Sequence, residues 1–216
     1  MKTLGFIGYG SMSSMIASKM LSHETVQQEH VHVFSRSRHQ GVMAFKEQYP
    51  KITLDNTVQE LAQTCDVIFI CLEPFDVTDV IKEIASELSP SKHLISIAAG
   101  VTTDQLAQIT TAQVTKLMPT LLTEVDSGVS LVVHHENVVD QNKSFFEALF
   151  TPFTTLKEIN EADLDAAANL TSSSPAYIAA IFQEFIESAS RKSNLSEEVA
   201  FDLVLASLLG TGKLLK

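Results

Sequence analysis

The chain has 216 residues, 45% of them hydrophobic, which is enough to bury a full core and argues against a disordered protein. Its 15 basic and 26 acidic residues give a formal net charge of −11, which argues against a nucleic-acid-binding protein because such a surface needs clustered Lys and Arg. The longest apolar run, 67–72, is too short to span a membrane, and a cytoplasmic protein is predicted.

The first predicted elements are a buried strand, a glycine turn and a helix. Gly8 and Gly10 leave the backbone free both for a tight turn and for the close approach of a pyrophosphate. A second strand at 31–34 completes a strand–helix–strand unit of the dinucleotide-binding kind. The third glycine position of the motif is occupied by Ser13, so the match is imperfect where the helix packs closest to its strand.

Strands and helices then alternate as far as residue 158, which favours a mostly parallel sheet with helices on its faces. Further strands are predicted at 52–54, 67–72, 94–99, 114–118, 129–133 and 154–156. Helices are predicted at 57–64, 76–88, 103–109 and 141–149. The pattern predicts a Rossmann-type, doubly wound α/β domain over residues 1–158.

Only helices are predicted after residue 158, at 161–171, 175–191 and 196–215. The last is apolar almost all round, so it has to be covered on more than one side, and a segment of this size is too small to do that alone. We therefore predict a small all-helical dimerisation and substrate domain over residues 159–216. Self-association as a homodimer or a larger oligomer follows from it.

A serine–arginine segment, Ser35, Arg36 and Arg38, follows the second strand about 25 residues after Gly10. An NAD site usually has an acidic residue here for the ribose 2′-hydroxyl, whereas serine and arginine offer donors and positive charge to a 2′-phosphate. NADP(H) is therefore favoured over NAD(H). The alternative is that the arginines are solvated surface charges.

Three further segments lie where predicted strands end, at 72–74, 96–100 and 118–120, on the edge where open α/β sheets bind ligands. None of them contains a nucleophile beside a base, which hydride transfer does not need. His134 and His135 are adjacent on a strand and point to opposite faces, so we predict two surface residues and no metal site. The segment 171–175 is either a helix start with a proline in its first turn or part of a catalytic site.

Four motifs, at 5–12, 96–102, 173–177 and 208–215, together resemble the pyrroline-5-carboxylate reductase family over nearly the whole chain. The resemblance implies a first domain that binds NAD(P)H and helices that form an interwoven dimer. It also implies hydride transfer to the imine carbon of a small-molecule substrate, 1-pyrroline-5-carboxylate, in proline biosynthesis, which gives L-proline.

The strand ends and the family motifs together predict the residues of the site. Cofactor-binding residues are predicted to be Gly8, Gly10, Ser11, Met12, Ser35, Arg36, Leu72, Pro74, Ala98, Ala99 and Gly100. No catalytic residue is assigned, and the candidates on the substrate side are Glu73, Thr120, Ser173 and Ser174.

The sequence departs from the family pattern at several of these positions. Glu73-Pro74-Phe75 replaces Lys-Pro-Gln, Thr120 replaces the asparagine of Met-Pro-Asn, and two glycines become Ser172 and Ser174. Family members also continue past the position of Lys216 with a Gly-Thr-Thr motif, so the chain is expected to be truncated relative to them. Two alternatives stay open: an NADP-dependent oxidoreductase acting on a CH–NH bond, or a catalytically impaired NADP-binding paralogue with a regulatory or interaction role, similar to the reductase-like proteins of bacterial competence operons.

Overall fold

The computed structural model describes residues 2–37 and 39–215 and divides into two compact units, Met1–Ser172 and Ser173–Lys216. The strands of the first unit have the bounds β1 Leu4–Ile7, β2 Val31–Phe34, β3 Thr53–Leu54, β4 Val67–Ile70, β5 His93–Ser96, β6 Gln113–Met118, β7 Val129–His134 and β8 Thr155–Glu158. Within the described residues they form an eight-stranded sheet in the order β3-β2-β1-β4-β5-β6-β7-β8.

The sheet is parallel from β3 to β6, and β7 pairs antiparallel with β6 and parallel with β8. The strand order reverses at β1, which lies between β2 and β4, and Ile7 is paired with both Phe34 and Ile70. The segments after these three residues therefore leave the sheet at the same edge, where doubly wound folds form a ligand-binding crevice. This confirms the predicted Rossmann-type fold.

The helices of the first unit cover the two faces of the sheet. Their bounds are α1 Ser11–Ser22, α2 Gln40–Gln48, α3 Val58–Thr64, α4 Pro74–Glu83, α5 Thr103–Ala107, α6 Asp140–Phe150 and α7 Leu164–Ala168. Phe6 and Phe69 lie in the core under α1 and α6, where their rings stack at 4.7 Å, while Ile7 and Ile70 lie in the core under α3 and α4. The strands β1 and β4 are apolar at every position because both of their faces are buried.

Several predicted boundaries are wrong by a few residues. The strands predicted at 67–72 and 94–99 end earlier, at Ile70 and Ser96. The helix predicted at 76–88 begins at Pro74, because proline suits the first turn, and ends at Glu83. The helix α2 was not predicted, although Val42 and Phe45 are its buried residues. The helix predicted at 161–171 is divided into a 3-10 turn, Glu161–Asp163, then α7 and a π turn, Asn169–Ser173.

The second unit contains α8, Ser174–Lys192, and α9, Glu197–Leu214, which pack against each other. Many of their large apolar side chains are exposed, including Ile181, Phe185, Phe201, Leu203 and Leu209. The two compact units meet in sequence between Ser172 and Ser173. The domain boundary predicted after residue 158 was placed at the end of the last strand, and it stays a prediction. In the part of the chain that the structure describes, no helix has both the length and the apolar character needed to cross a membrane.

Candidate functional site

A cavity of about 680 Å³ lies at the carboxyl ends of β1, β2, β4 and β5. It is lined by all of the predicted cofactor-binding residues except one, namely Gly8, Gly10, Ser11, Met12, Ser35, Arg36, Leu72, Pro74, Ala98 and Ala99. The exception is Gly100, which lines a neighbouring cavity of about 420 Å³ together with Phe75. The strand β4 ends at Ile70 and β5 at Ser96, so the residues that follow are free to form the wall of the larger cavity.

The structure constrains the two glycines of the first turn differently. Gly8 has a φ of +93°, and a Cβ atom there would collide with the carbonyl oxygen of Cys71. Gly10 has an ordinary φ of −103°, and a Cβ atom there would meet nothing within 4 Å among the described residues. The backbone of the fold therefore requires glycine at position 8. At position 10 a side chain would only occupy open space in front of α1.

The first turn of α1 faces this open space. Ser11, Met12 and Ser13 begin the helix and line the cavity, and among the described residues no side chain caps it. The N–H groups at such a helix end carry partial positive charge and bind phosphates readily. Ser13, the imperfect third position of the motif, is 1% exposed. Its side chain is therefore small enough for the close packing that the motif requires.

His39 contacts the glycine turn, an arrangement that the sequence did not reveal. It lines the cavity, and its Nε2 lies 3.0 Å from the Tyr9 carbonyl oxygen while its Nδ1 accepts the Gly41 N–H at 3.2 Å. With Nδ1 accepting, Nε2 is the ring nitrogen that can donate to the Tyr9 carbonyl oxygen. The imidazole thus ties the glycine turn to the first turn of α2. In the sequence, His39 was recognisable only as a polar residue that could cap α2, a helix that was not predicted.

The cavity is lined by one arginine and two carboxylates. Arg36 lines it after β2, where the neighbouring Ser35 hydroxyl donates to the Ser37 carbonyl oxygen at 2.8 Å. That hydroxyl proton is already donated, whereas the Arg36 guanidinium offers both donors and positive charge to a phosphate. Arg38, also predicted for this role, lies outside the described residues. Glu73 and Asp76, at the start of α4, line the cavity as well.

The other candidates on the substrate side are Thr120, Ser173 and Ser174. Thr120 is 1% exposed, and its hydroxyl makes long contacts of 3.4 Å with the Leu122 N–H and the Thr171 carbonyl oxygen. Ser173 immediately precedes α8 in the second unit, and Ser174 is the first residue of that helix. Of the two candidates in the first unit, Glu73 lines the cavity and Thr120 does not.

The prediction of two surface histidines at 134 and 135 is wrong, because both residues are half-buried and His134 joins a bonded chain of side chains. Its Nδ1 lies 2.7 Å from the Thr115 hydroxyl, which lies 2.7 Å from Nε2 of the buried His93. Burial lowers the pKa of His93 to about 3 and also lowers the pKa of His134. His135 lies 3.6 Å from Asp104. Within residues 2–37 and 39–215, no three His, Cys, Asp or Glu side chains are grouped so that they could hold a metal ion.

Two family models match the chain. The model described as "NADP oxidoreductase coenzyme F420-dependent" matches residues 3–100, which include the glycine turn, Arg36 and the segment after β5. The model described as "Pyrroline-5-carboxylate reductase dimerisation" matches residues 161–216, which include α8 and α9. The two models therefore match the cavity-forming part and the helical part separately.

Relatives match along the whole length. Pyrroline-5-carboxylate reductase 3 of Bacillus subtilis is 39% identical over 215 residues, which are 100% of this chain and 79% of the relative. ComE operon protein 4 of the same organism is 25% identical over 99% of this chain and 78% of its own length. The crystal structure of a Plasmodium falciparum pyrroline carboxylate reductase with NADP bound superposes with a TM-score of 0.85, at 25% identity over 98% of this chain and 78% of the other. Given this match along its full length, the chain belongs to the pyrroline-5-carboxylate reductase family.

Proposed function

We propose that the protein is a reductase that uses NADPH to reduce the imine of 1-pyrroline-5-carboxylate to L-proline. The observation that carries this proposal is the cavity at the reversal of strand order, because it brings together the glycine turn, Arg36 and the segment Ala98–Ala99 in a chain 39% identical to a pyrroline-5-carboxylate reductase. When bound, NADPH supplies the hydride for such a reaction.

The residues of the cavity fit the parts of this cofactor. The open space at Gly10 and the first turn of α1 suit the pyrophosphate, and Arg36 suits a 2′-phosphate. Leu72, Pro74, Ala98 and Ala99 provide a mostly apolar wall on the side of β4 and β5. Such a wall keeps water away from a reacting ring.

The predicted homodimer is part of the same proposal. Large apolar side chains on α8 and α9 are exposed, and the family model that matches this segment is named for dimerisation. Soluble monomers rarely expose contiguous apolar patches of this kind. We expect sedimentation equilibrium to give at least twice the mass of one chain, and a monomer at micromolar concentration would contradict this part of the proposal.

Arg36→Ala is expected to weaken NADPH binding at least tenfold while leaving NADH binding within about threefold of the wild type. The reason is that a charge-assisted hydrogen bond to a phosphate contributes roughly 1.5–3 kcal/mol, and NADH has no 2′-phosphate. Titration of each nucleotide by its fluorescence measures both effects.

Lys51→Ala is the matched control for Arg36→Ala, because it also removes one positive charge but at the exposed pair with Glu29, away from the cavity. It should leave both nucleotides unaffected. Equal losses of NADPH and NADH in Arg36→Ala would mean that Arg36 does not read the 2′-phosphate.

A steady-state assay with 1-pyrroline-5-carboxylate and NADPH tests the activity itself. Turnover on the order of 1 per second or faster is expected for an enzyme. The second candidate function is an NADP-binding paralogue without reductase activity, and the carboxylate of Glu73 in the cavity favours it because that charge repels an anionic substrate. NADPH binding without turnover would support this second candidate, and no NADPH binding would contradict both.

A further inference from the structure

The wall of the cavity on the side of β5 is a short loop without regular structure, residues 97–102, between β5 and α5. Ala98 and Ala99 of this loop line the cavity, and Gly100 has a φ of +73°. A loop of this kind holds one position only if neighbouring groups fix it.

Lys116 on β6 fixes the end of this loop. Its side chain is 3% exposed, and Nζ donates to the carbonyl oxygen of Val101 at 2.6 Å. Burial lowers the pKa of Lys116, while the carboxylates of Glu161 and Asp165 act in the opposite direction. A lysine is rarely buried to this extent, because desolvating its ammonium group is costly. The Val101 carbonyl oxygen and the two carboxylates favour the charged group and offset part of that cost.

Glu161 holds Thr103, the residue that follows the loop. Its carboxylate accepts the Thr103 N–H at 2.9 Å and the Thr103 hydroxyl at 2.7 Å. Thr103 is the first residue of α5 and is 3% exposed. Charge-assisted bonds of this kind are short and are stronger than bonds between neutral groups. The loop therefore ends between two charged groups, one on β6 and one on the 3-10 turn before α7.

We propose that Lys116 and Glu161 are positioning residues that hold Ala98 and Ala99 against the bound dinucleotide. Neither side chain lines the cavity, so both act through the loop. The kinetic part of this inference rests on the proposed function, whereas its effects on the loop and on cofactor affinity do not depend on turnover. Glu161 is also the first residue matched by the dimerisation model, so the loop of the cofactor wall is followed by a residue that is bonded to the segment this model covers.

The test compares Lys116→Met, Lys116→Arg, Glu161→Gln and Thr103→Val with a control, Glu158→Gln. The control removes a carboxylate charge from an exposed pair with Lys143, whose atoms are 3.4 Å apart. Lys116→Met is expected to raise the Kd for NADPH roughly tenfold, because it removes one charge-assisted bond to the loop. Lys116→Arg keeps a charged donor, so its Kd should stay within about threefold of the wild-type value. Glu161→Gln and Thr103→Val should show smaller increases. Each Kd is measured at a temperature at which thermal melting shows the variant to be folded.

Hydrogen exchange of the amides in 98–103 gives a measurement that does not require the cofactor. Faster exchange there in Lys116→Met and Glu161→Gln, with the amides of 39–41 unchanged, is the expected result. Unchanged exchange in this loop, or an NADPH affinity equal to the wild type in folded Lys116→Met, would overturn the inference. A wild type that binds NADPH without turnover would refute only the proposed reaction. One that binds no NADPH would overturn this inference as well, because no dinucleotide would then lie against the loop.

Discussion

Gly8→Ala is expected to destabilise the protein by about 3 kcal/mol or more and to abolish NADPH binding. A positive φ is strained for alanine by about 1–3 kcal/mol, and the new Cβ atom would collide with the Cys71 carbonyl, which belongs to backbone and cannot rotate away. Urea denaturation measures the loss of stability, and a fluorescence titration at low denaturant measures the loss of binding.

Gly10→Ala is the matched control for the fold and a second test of the cofactor site. Position 10 has a φ that alanine adopts without strain, and its Cβ atom would project into open space, so stability should stay within about 0.5 kcal/mol of the wild type. NADPH binding should nevertheless fall at least tenfold, because the methyl group would keep the pyrophosphate from the backbone. Unchanged affinity in Gly10→Ala would mean that no ligand approaches the main chain at this turn.

Acidification from pH 7 to pH 5 is expected to destabilise the protein by about 2 kcal/mol through His93. Its pKa is lowered to about 3 by burial, by His134 and by Lys2, whereas the unfolded chain titrates near ~6.5. The unfolded state therefore binds more protons than the folded state between these values. Stability is fully present above pH 6.5 and falls as the pH falls through this range.

The measurement is a urea titration at several pH values between 5 and 7. His93→Gln should flatten this dependence, because glutamine does not titrate, even if its baseline stability is lower. His30→Gln, which changes a histidine outside the bonded chain of His93, Thr115 and His134, should leave the dependence in place. A wild type equally stable at pH 5 and pH 7 would contradict the prediction.

The features predicted correctly from sequence were those with a local pattern. The glycine turn, the central apolar strands and their alternation with helices were read from adjacent residues, and the family resemblance is confirmed by the relatives. All of the residues predicted to bind the cofactor except Gly100 line one cavity, and their role in binding stays a prediction. That convergence could be inferred because parallel strands end at a common edge.

The features that were missed depend on contacts between residues distant in sequence. Glu161 and Thr103 are separated by 58 positions, and His39 and Tyr9 by 30, so no local pattern connects them. His134 was misread because strand alternation gives the face of a residue but not whether Thr115 and Phe146 will cover that face. Helix α2 has only two buried residues, too few for a clear period.

The two outer strands of the sheet also bear on how copies of the chain can associate. One edge, β3, has only two residues, and the other, β8, carries the exposed, oppositely charged Lys157 and Glu158. Short or charged edge strands discourage pairing with a strand of another molecule and so protect against aggregation. A continuous sheet shared between protomers is therefore disfavoured, which agrees with the proposed association through α8 and α9.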